Sequence, residues 1–162
     1  MKNHRELKTE AAATLKTAGI KNTTIAKSGY TGITVTIHNR EVTPGGIKAL
    51  LAGLDTYTSE PYLGADYGAG QSVHVEYSKL VLDELALEIL PVAAEIVRYL
   101  ASTEGSPRPF TLPIVGVVVV SRANRYNPAH ADLNGKTCGL GHSGNSAADI
   151  AWLLSRAIGS AF

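Results

Sequence analysis

The amino-acid sequence predicts an α+β fold: one domain over residues 1–162, with a mixed or antiparallel sheet of about four strands packed against helices. Three observations predict it. Stretches with apolar residues at helical spacing, such as Lys79 to about Ala101, alternate with stretches of strict two-residue alternation, such as TGITVTIH at 31–38. The chain has 162 residues, 44% of them hydrophobic, enough to bury a core without disulfides or metal. The single cysteine, Cys138, excludes an intrachain disulfide and favours a reducing compartment.

The elements follow in order. Residues 3–18 read as an amphipathic helix with Leu7, Ala11, Leu15 and Ala18 on one face. Gly19 suits the left-handed position that ends it, and Ile20 the apolar contact after it. A strand near Thr23–Lys27 and a turn at Ser28-Gly29-Tyr30 lead into TGITVTIH, where Ile33, Val35 and Ile37 oppose Thr34, Thr36 and His38. Thr43 and Pro44 are a cap and first residue for a helix carrying Ile47, Leu50, Leu51 and Leu54. Residues 58–70, rich in Gly and Tyr, read as a loop, and Val73, Val75 and Tyr77 as the inner face of a strand. The longest helix presents Val81, Leu82, Leu85, Ile89, Val92, Ile96 and Leu100, and Pro91 should kink or split it. EGSPRP at 104–109 is a turn or short linker. Phe110–Val120, apolar on both faces, reads as a central strand covered on both sides, with Pro113 marking an edge or bulge. A long polar loop over 121–145 precedes a last helix from Ser146 to about Ser160, where Ser146 and Asp149 stand at capping distance.

Charge and hydropathy limit the function classes. Residues 1–104 hold 10 Lys/Arg against 12 Asp/Glu, and residues 105–162 hold 5 against 2. Neither part is basic enough for a broad grip on duplex DNA, although a small anion site stays open. The first ten residues are charged and no apolar signal region follows them. FTLPIVGVVVV at 110–120 is about half the length that a membrane helix needs. A cytoplasmic protein with no membrane partner is expected.

The candidate chemistry concentrates in SRANRYNPAHADLNGKTCGLGHSGNS at 121–146, since polar loops of this length commonly carry function. His130, Asp132, Cys138 and His142 are zinc-ligand types in HxD and CxxxH spacing, which makes zinc the candidate cofactor. Alternatively, Cys138 is a nucleophile with His130 or His142 as its base and the backbone around Gly139–Gly141 as oxyanion donor. If Cys138 is buried, it is only a small hydrophobe. Gly141, Ser143, Asn145 and Ser146 lead into the last helix and form a candidate anion site, or simply its cap. Arg122 and Arg125 would add charge there. His38 and His74, with Glu76, would face one another if their strands were suitably paired. Tyr57, Tyr62 and Tyr67 form a candidate binding surface beside Glu60 and Asp66, whose negative charge favours a protein over a nucleic-acid backbone.

The first half resembles the large polyvalent protein associated domains of phage and conjugative elements, over roughly residues 5–80. The resemblance rests on a Lys/Glu/Ala-rich helix, a short strand, and IAKSGYTGITVTIHN, where Ser28, Gly29, Gly32, Ile33, Val35 and Ile37 match in kind. Ile37 stands where that family has a bulkier residue. The resemblance supplies no catalytic residues. It implies an accessory role in a mobile element, such as handling incoming DNA or blocking a host defence.

Three readings follow. The favoured one is a non-enzymatic accessory or inhibitory binding protein acting through protein–protein contacts. The second is a small metal-dependent or cysteine hydrolase centred on residues 121–146. The third is a nucleic-acid or nucleotide-binding module, which requires Lys48, Arg98, Arg122, Arg125 and Lys136 to share a face. Self-association is a further partner reading, since the apolar end at Phe162 would dock on a neighbour.

Overall fold

A computed structural model of the chain describes residues 2–29, 31–56, 58–62, 65–102, 105–124, 128–141 and 145–161, with backbone alone for 58–62, 65–69, 160 and 161. The fold is α+β, and its contacts gather into two compact units, Met1–Ser78 and Lys79–Phe162.

The first unit begins with α1 (His4–Thr17). Asn3 caps it reciprocally: its side-chain oxygen accepts from the Glu6 N–H at 3.0 Å, and the Glu6 carboxylate accepts from the Asn3 N–H at 2.9 Å. The helix ends as its glycine predicts. Gly19 has φ +72°, its N–H reaches the Lys16 carbonyl, and the Ile20 N–H reaches the Leu15 carbonyl at 2.9 Å. Strands β1 (Thr23–Ser28) and β2 (Gly32–Ile37) pair antiparallel. Helix α2 (Pro44–Leu50), capped by the Thr43 hydroxyl on the Gly46 N–H at 3.1 Å, carries the chain toward a strand parallel to β2. A 3₁₀ turn (Ala52–Leu54), a hairpin of β3 (Thr58–Tyr62) and β4 (Ala65–Ala69), and that parallel strand, β5 (Val73–Tyr77), complete the unit.

The main sheet runs β1-β2-β5. Its inner face buries Ile33, Val35, Ile37, Val73, Val75 and Tyr77, together with Leu7, Ala11 and Leu15 of α1 and Ile47 of α2. Gly32 is needed where β2 meets the start of β5, since a Cβ there would lie 2.2 Å from Ser72 Oγ. The segment 58–69 is a hairpin in place of the expected loop. Its glycines suggest a loop, but its threonine and tyrosines favour extended backbone, and pairing decides between the two.

The second unit opens with α3 (Lys79–Ala101), which continues through Pro91 without splitting. Proline removes the bond to the carbonyl of Leu87, and Leu87 is 71% exposed, on the solvent side of the helix. Four strands follow as an antiparallel meander: β6 (Arg108–Leu112), β7 (Gly116–Ser121), β8 (Ala129–Leu133) and β9 (Lys136–Gly141). Helix α4 (Ala147–Ala161) ends the chain. Both helices share one core with the sheet, built on Leu85, Ile89, Ile96, Val118, Val120, Leu133, Leu140, Ile150 and Leu154.

Two expectations are corrected here. Phe110–Val120 is a hairpin of two strands, turned at Pro113–Val115, with Ile114 at φ +70° and Gly116 at φ +74°. It is also covered on one face only, since Val117 and Val119 are 59% and 41% exposed. Consecutive valines read as burial on both sides, but a meander backed by helices on one side leaves alternate residues in solvent. The polar loop over 121–145 contains the β8–β9 hairpin. Its turn, Asn134-Gly135, has φ of +52° and +85°, as a type I′ turn requires, and the Asp132 carboxylate accepts from the Gly135 N–H at 2.7 Å. Asn-Gly between two alternating stretches was the legible signal for it. Among the described residues, no helix is long and apolar enough to cross a membrane.

Candidate binding cleft

The sequence-singled segment contributes to a cleft of about 430 Å³ within the second unit. The end of α3 supplies Val97, Leu100 and Ala101. Arg122 and Ala123 come from the chain just past β7, Ala129 from β8, and Leu140 and Gly141 from the end of β9. Asn145 and Ile150 close it from the start of α4. The walls are aliphatic, and the polar side chains among the lining residues are Arg122 and Asn145.

The local geometry is specific. Gly141 ends β9 at φ +77°, and a Cβ on it would lie 2.3 Å from Asn145 Nδ2. Glycine therefore satisfies both the left-handed backbone and the close approach of the asparagine. Asn145 Nδ2 donates to the Leu140 carbonyl at 2.7 Å, tying the chain before α4 back to β9. One step on, Ser146 caps α4. Its hydroxyl accepts from the Asp149 N–H at 3.2 Å, while the Asp149 carboxylate accepts from the Ser146 N–H at 2.9 Å and hydroxyl at 2.7 Å. These bonds, the hydroxyl first, hold the Asp149 carboxyl below its ordinary range. The helix start is thus served by the chain's own carboxylate; of the expected anion site, Ser146 caps α4, Gly141 and Asn145 line the cleft, and Ser143 lies outside the described residues.

Of the proposed metal residues, the three described, His130, Asp132 and Cys138, are not brought together. His130 pairs with Gly139, Ala131 with Cys138, and Asp132 with Thr137. In an antiparallel ladder, opposed residues share a face and successive ones alternate. His130 and Asp132 therefore lie on the outer face, and Cys138 lies on the inner one with Ala131, packed against the core. Each has a local role. His130 Nδ1 lies 3.0 Å from the Pro128 carbonyl, Asp132 holds the Asn-Gly turn, and Cys138 Sγ lies 3.9 Å from the Leu153 carbonyl. Burial pushes the Cys138 thiol up, opposite to what an activated nucleophile needs. Among the described residues, no three His, Cys, Asp or Glu side chains gather as a metal group.

Strands β2 and β5 are neighbours, yet His38 and His74 do not meet. His74 opposes Thr34, four residues before His38, which separates them by roughly 13 Å along the strand. His38 instead bonds Thr24 Oγ1 at 3.0 Å, and His74 bonds Glu76 at 3.3 Å. Of the cationic residues, Lys48 belongs to the first unit, while Arg98 on α3 and Lys136 on β9 are exposed positions of the second. Tyr57, Arg125, His142 and Ser143 lie outside the described residues, as do the side chains of Tyr62 in β3 and Tyr67 in β4.

Sequence reasoning reached Arg122, Gly141 and Asn145 but missed the apolar walls, Val97, Leu100, Ala129 and Leu140. Leu100 reads only as a position on the apolar face of its helix, Ala129 and Leu140 fall within the expected polar loop, and nothing in their spacing says that a cavity is left between them. Compared with known proteins, the chain matches no protein-family model, and no curated protein or solved structure matches it.

Proposed function

We propose that this protein acts by contact, as a non-enzymatic accessory or inhibitory protein that holds a protein partner through the cleft of its second unit. The observation that carries the reading is the cleft itself, an aliphatic hollow of about 430 Å³ with a guanidinium and an amide among its lining groups. Such a hollow accepts a bulky apolar side chain from a partner, and Arg122 favours an acidic residue beside that anchor. The separation of His130 and Asp132 from Cys138, and the raised thiol, favour binding over hydrolysis. The resemblance of residues 5–80 to domains of phage and conjugative elements supports a mobile-element setting, in the cytoplasm.

Peptide display against the intact protein tests this. The selected peptides should carry an aromatic or large aliphatic anchor next to Asp or Glu. Ala101→Trp and Ala123→Trp, both at exposed lining positions, should weaken them by about 30-fold through filling the mouth. Peptides that bind both variants as tightly as the parent overturn the reading. So does saturable binding of an anilinonaphthalene sulfonate, lost in both variants, that no selected peptide displaces, because the cleft would then be a small-molecule site.

A further inference from the structure

We infer that the open edge of β1, with the face of α1 beside it, is a second binding site, and that it takes an extended acidic peptide as an added β-strand. The site lies wholly within the first unit and is independent of the cleft described above.

The backbone provides the template. Among the described residues, β1 is the terminal strand of its sheet and pairs with β2 alone. The His38 N–H donates to the Asn22 carbonyl at 2.8 Å, which makes Asn22 and His38 a hydrogen-bonded pair. Antiparallel ladders alternate, so the register assigns the next bonded pairs to Thr24–Thr36 and Ala26–Thr34. The N–H and C=O groups of Thr23, Ile25 and Lys27 then point away from β2, to the open edge. Among the described residues, no other backbone group bonds to them.

The side chains supply selectivity. A groove of about 480 Å³ runs between α1 and this edge. Leu15, Ile20 and Ile25 give it apolar surface, and Lys8, Lys16 and Lys21 line it, with no carboxylate among the lining residues. Lys8 and Lys16 stand two turns apart on one face of α1, and Lys21 follows the helix end. Lysines at a sheet edge oppose pairing with a second copy of the same strand. The same charge attracts an acidic strand. Main-chain bonds would supply affinity, alternate apolar side chains would settle on Leu15, Ile20 and Ile25, and acidic residues would meet the lysines.

Fluorescence anisotropy with the intact protein and a labelled peptide alternating glutamate and valine tests the assignment. The peptide should bind saturably, and more weakly as salt rises. Each of Lys8→Glu, Lys16→Glu and Lys21→Glu should cost about fivefold. Ile25→Pro deletes a donor that faces the open edge rather than β2, so it should leave the circular dichroism spectrum unchanged and weaken the peptide about tenfold. The triple Lys-to-Glu variant should exchange preference and bind a peptide alternating lysine and valine, a result that does not depend on the proline variant folding. Absence of peptide binding overturns the proposal, as does binding that none of these substitutions changes. Tighter binding of an oligo-dT strand than of the acidic peptide, retained in Ile25→Pro, also overturns it and makes the groove a single-strand nucleic-acid site.

Discussion

Gly141 concentrates two demands in one residue. Its backbone sits at φ +77°, and the Asn145 amide occupies the space that a Cβ would take. Gly141→Ala therefore carries both left-handed strain and a steric clash, and should cost about 1–3 kcal/mol in chemical denaturation. It should also free Asn145 from the Leu140 carbonyl and alter binding at the cleft. An alanine variant with parental stability would show that the close approach of Asn145 is not held in solution. The sequence marks Gly141 and Asn145 as unusual through composition alone. That one makes room for the other depends on where the backbone places the two, which residue type alone does not give.

Helix ends were the most legible elements, because their bonds are local. The Gly19 terminus, the Thr43-Pro44 start and the Ser146–Asp149 pair all close within a few residues. Ser146→Ala should lower stability by about 1 kcal/mol, measured by urea denaturation at neutral pH. The contribution of Asp149 has a definite pH sign. Its carboxyl is depressed in the folded chain, so its stabilisation is present above the ordinary value of 3.8 and lost as pH falls through the lower folded value. The stability difference between parent and Ser146→Ala should therefore shrink in acid, below about pH 4; a constant difference down to pH 2 would contradict the pairing. The strands were read less well. Valines 117–120 and the glycine-rich 58–70 and 121–145 segments are ambiguous locally, since a strand is defined by a partner distant in sequence.

At the scale of the molecule, two apolar cores are assembled from different parts of the chain. One draws on residues between Leu7 and Tyr77, the other on residues between Leu85 and Ile158. Leu154 is fully buried in the second, and Leu154→Ala should cost about 2–5 kcal/mol there. Hydrogen exchange is expected to show the loss in β7 and β8, while the amide of Val35 in β2 keeps its protection, since no residue of the second cluster precedes Leu85. An equal loss of protection at Val35 would mean that the two cores open together.

What the sequence by itself determined was the α+β class, the helices, their caps and the inward faces of β2 and β5, because periodicity and capping are read over a few residues. Only the tertiary structure decided that His130 and Asp132 lie on the other face of the sheet from Cys138, that β2 and β5 run parallel with His38 and His74 out of reach, and that aliphatic residues from α3, β8, β9 and α4 leave a cleft beside Arg122 and Asn145. Register sets which side of a sheet a residue occupies, and packing sets whether space remains between apolar side chains; neither is encoded by residue type at a given spacing.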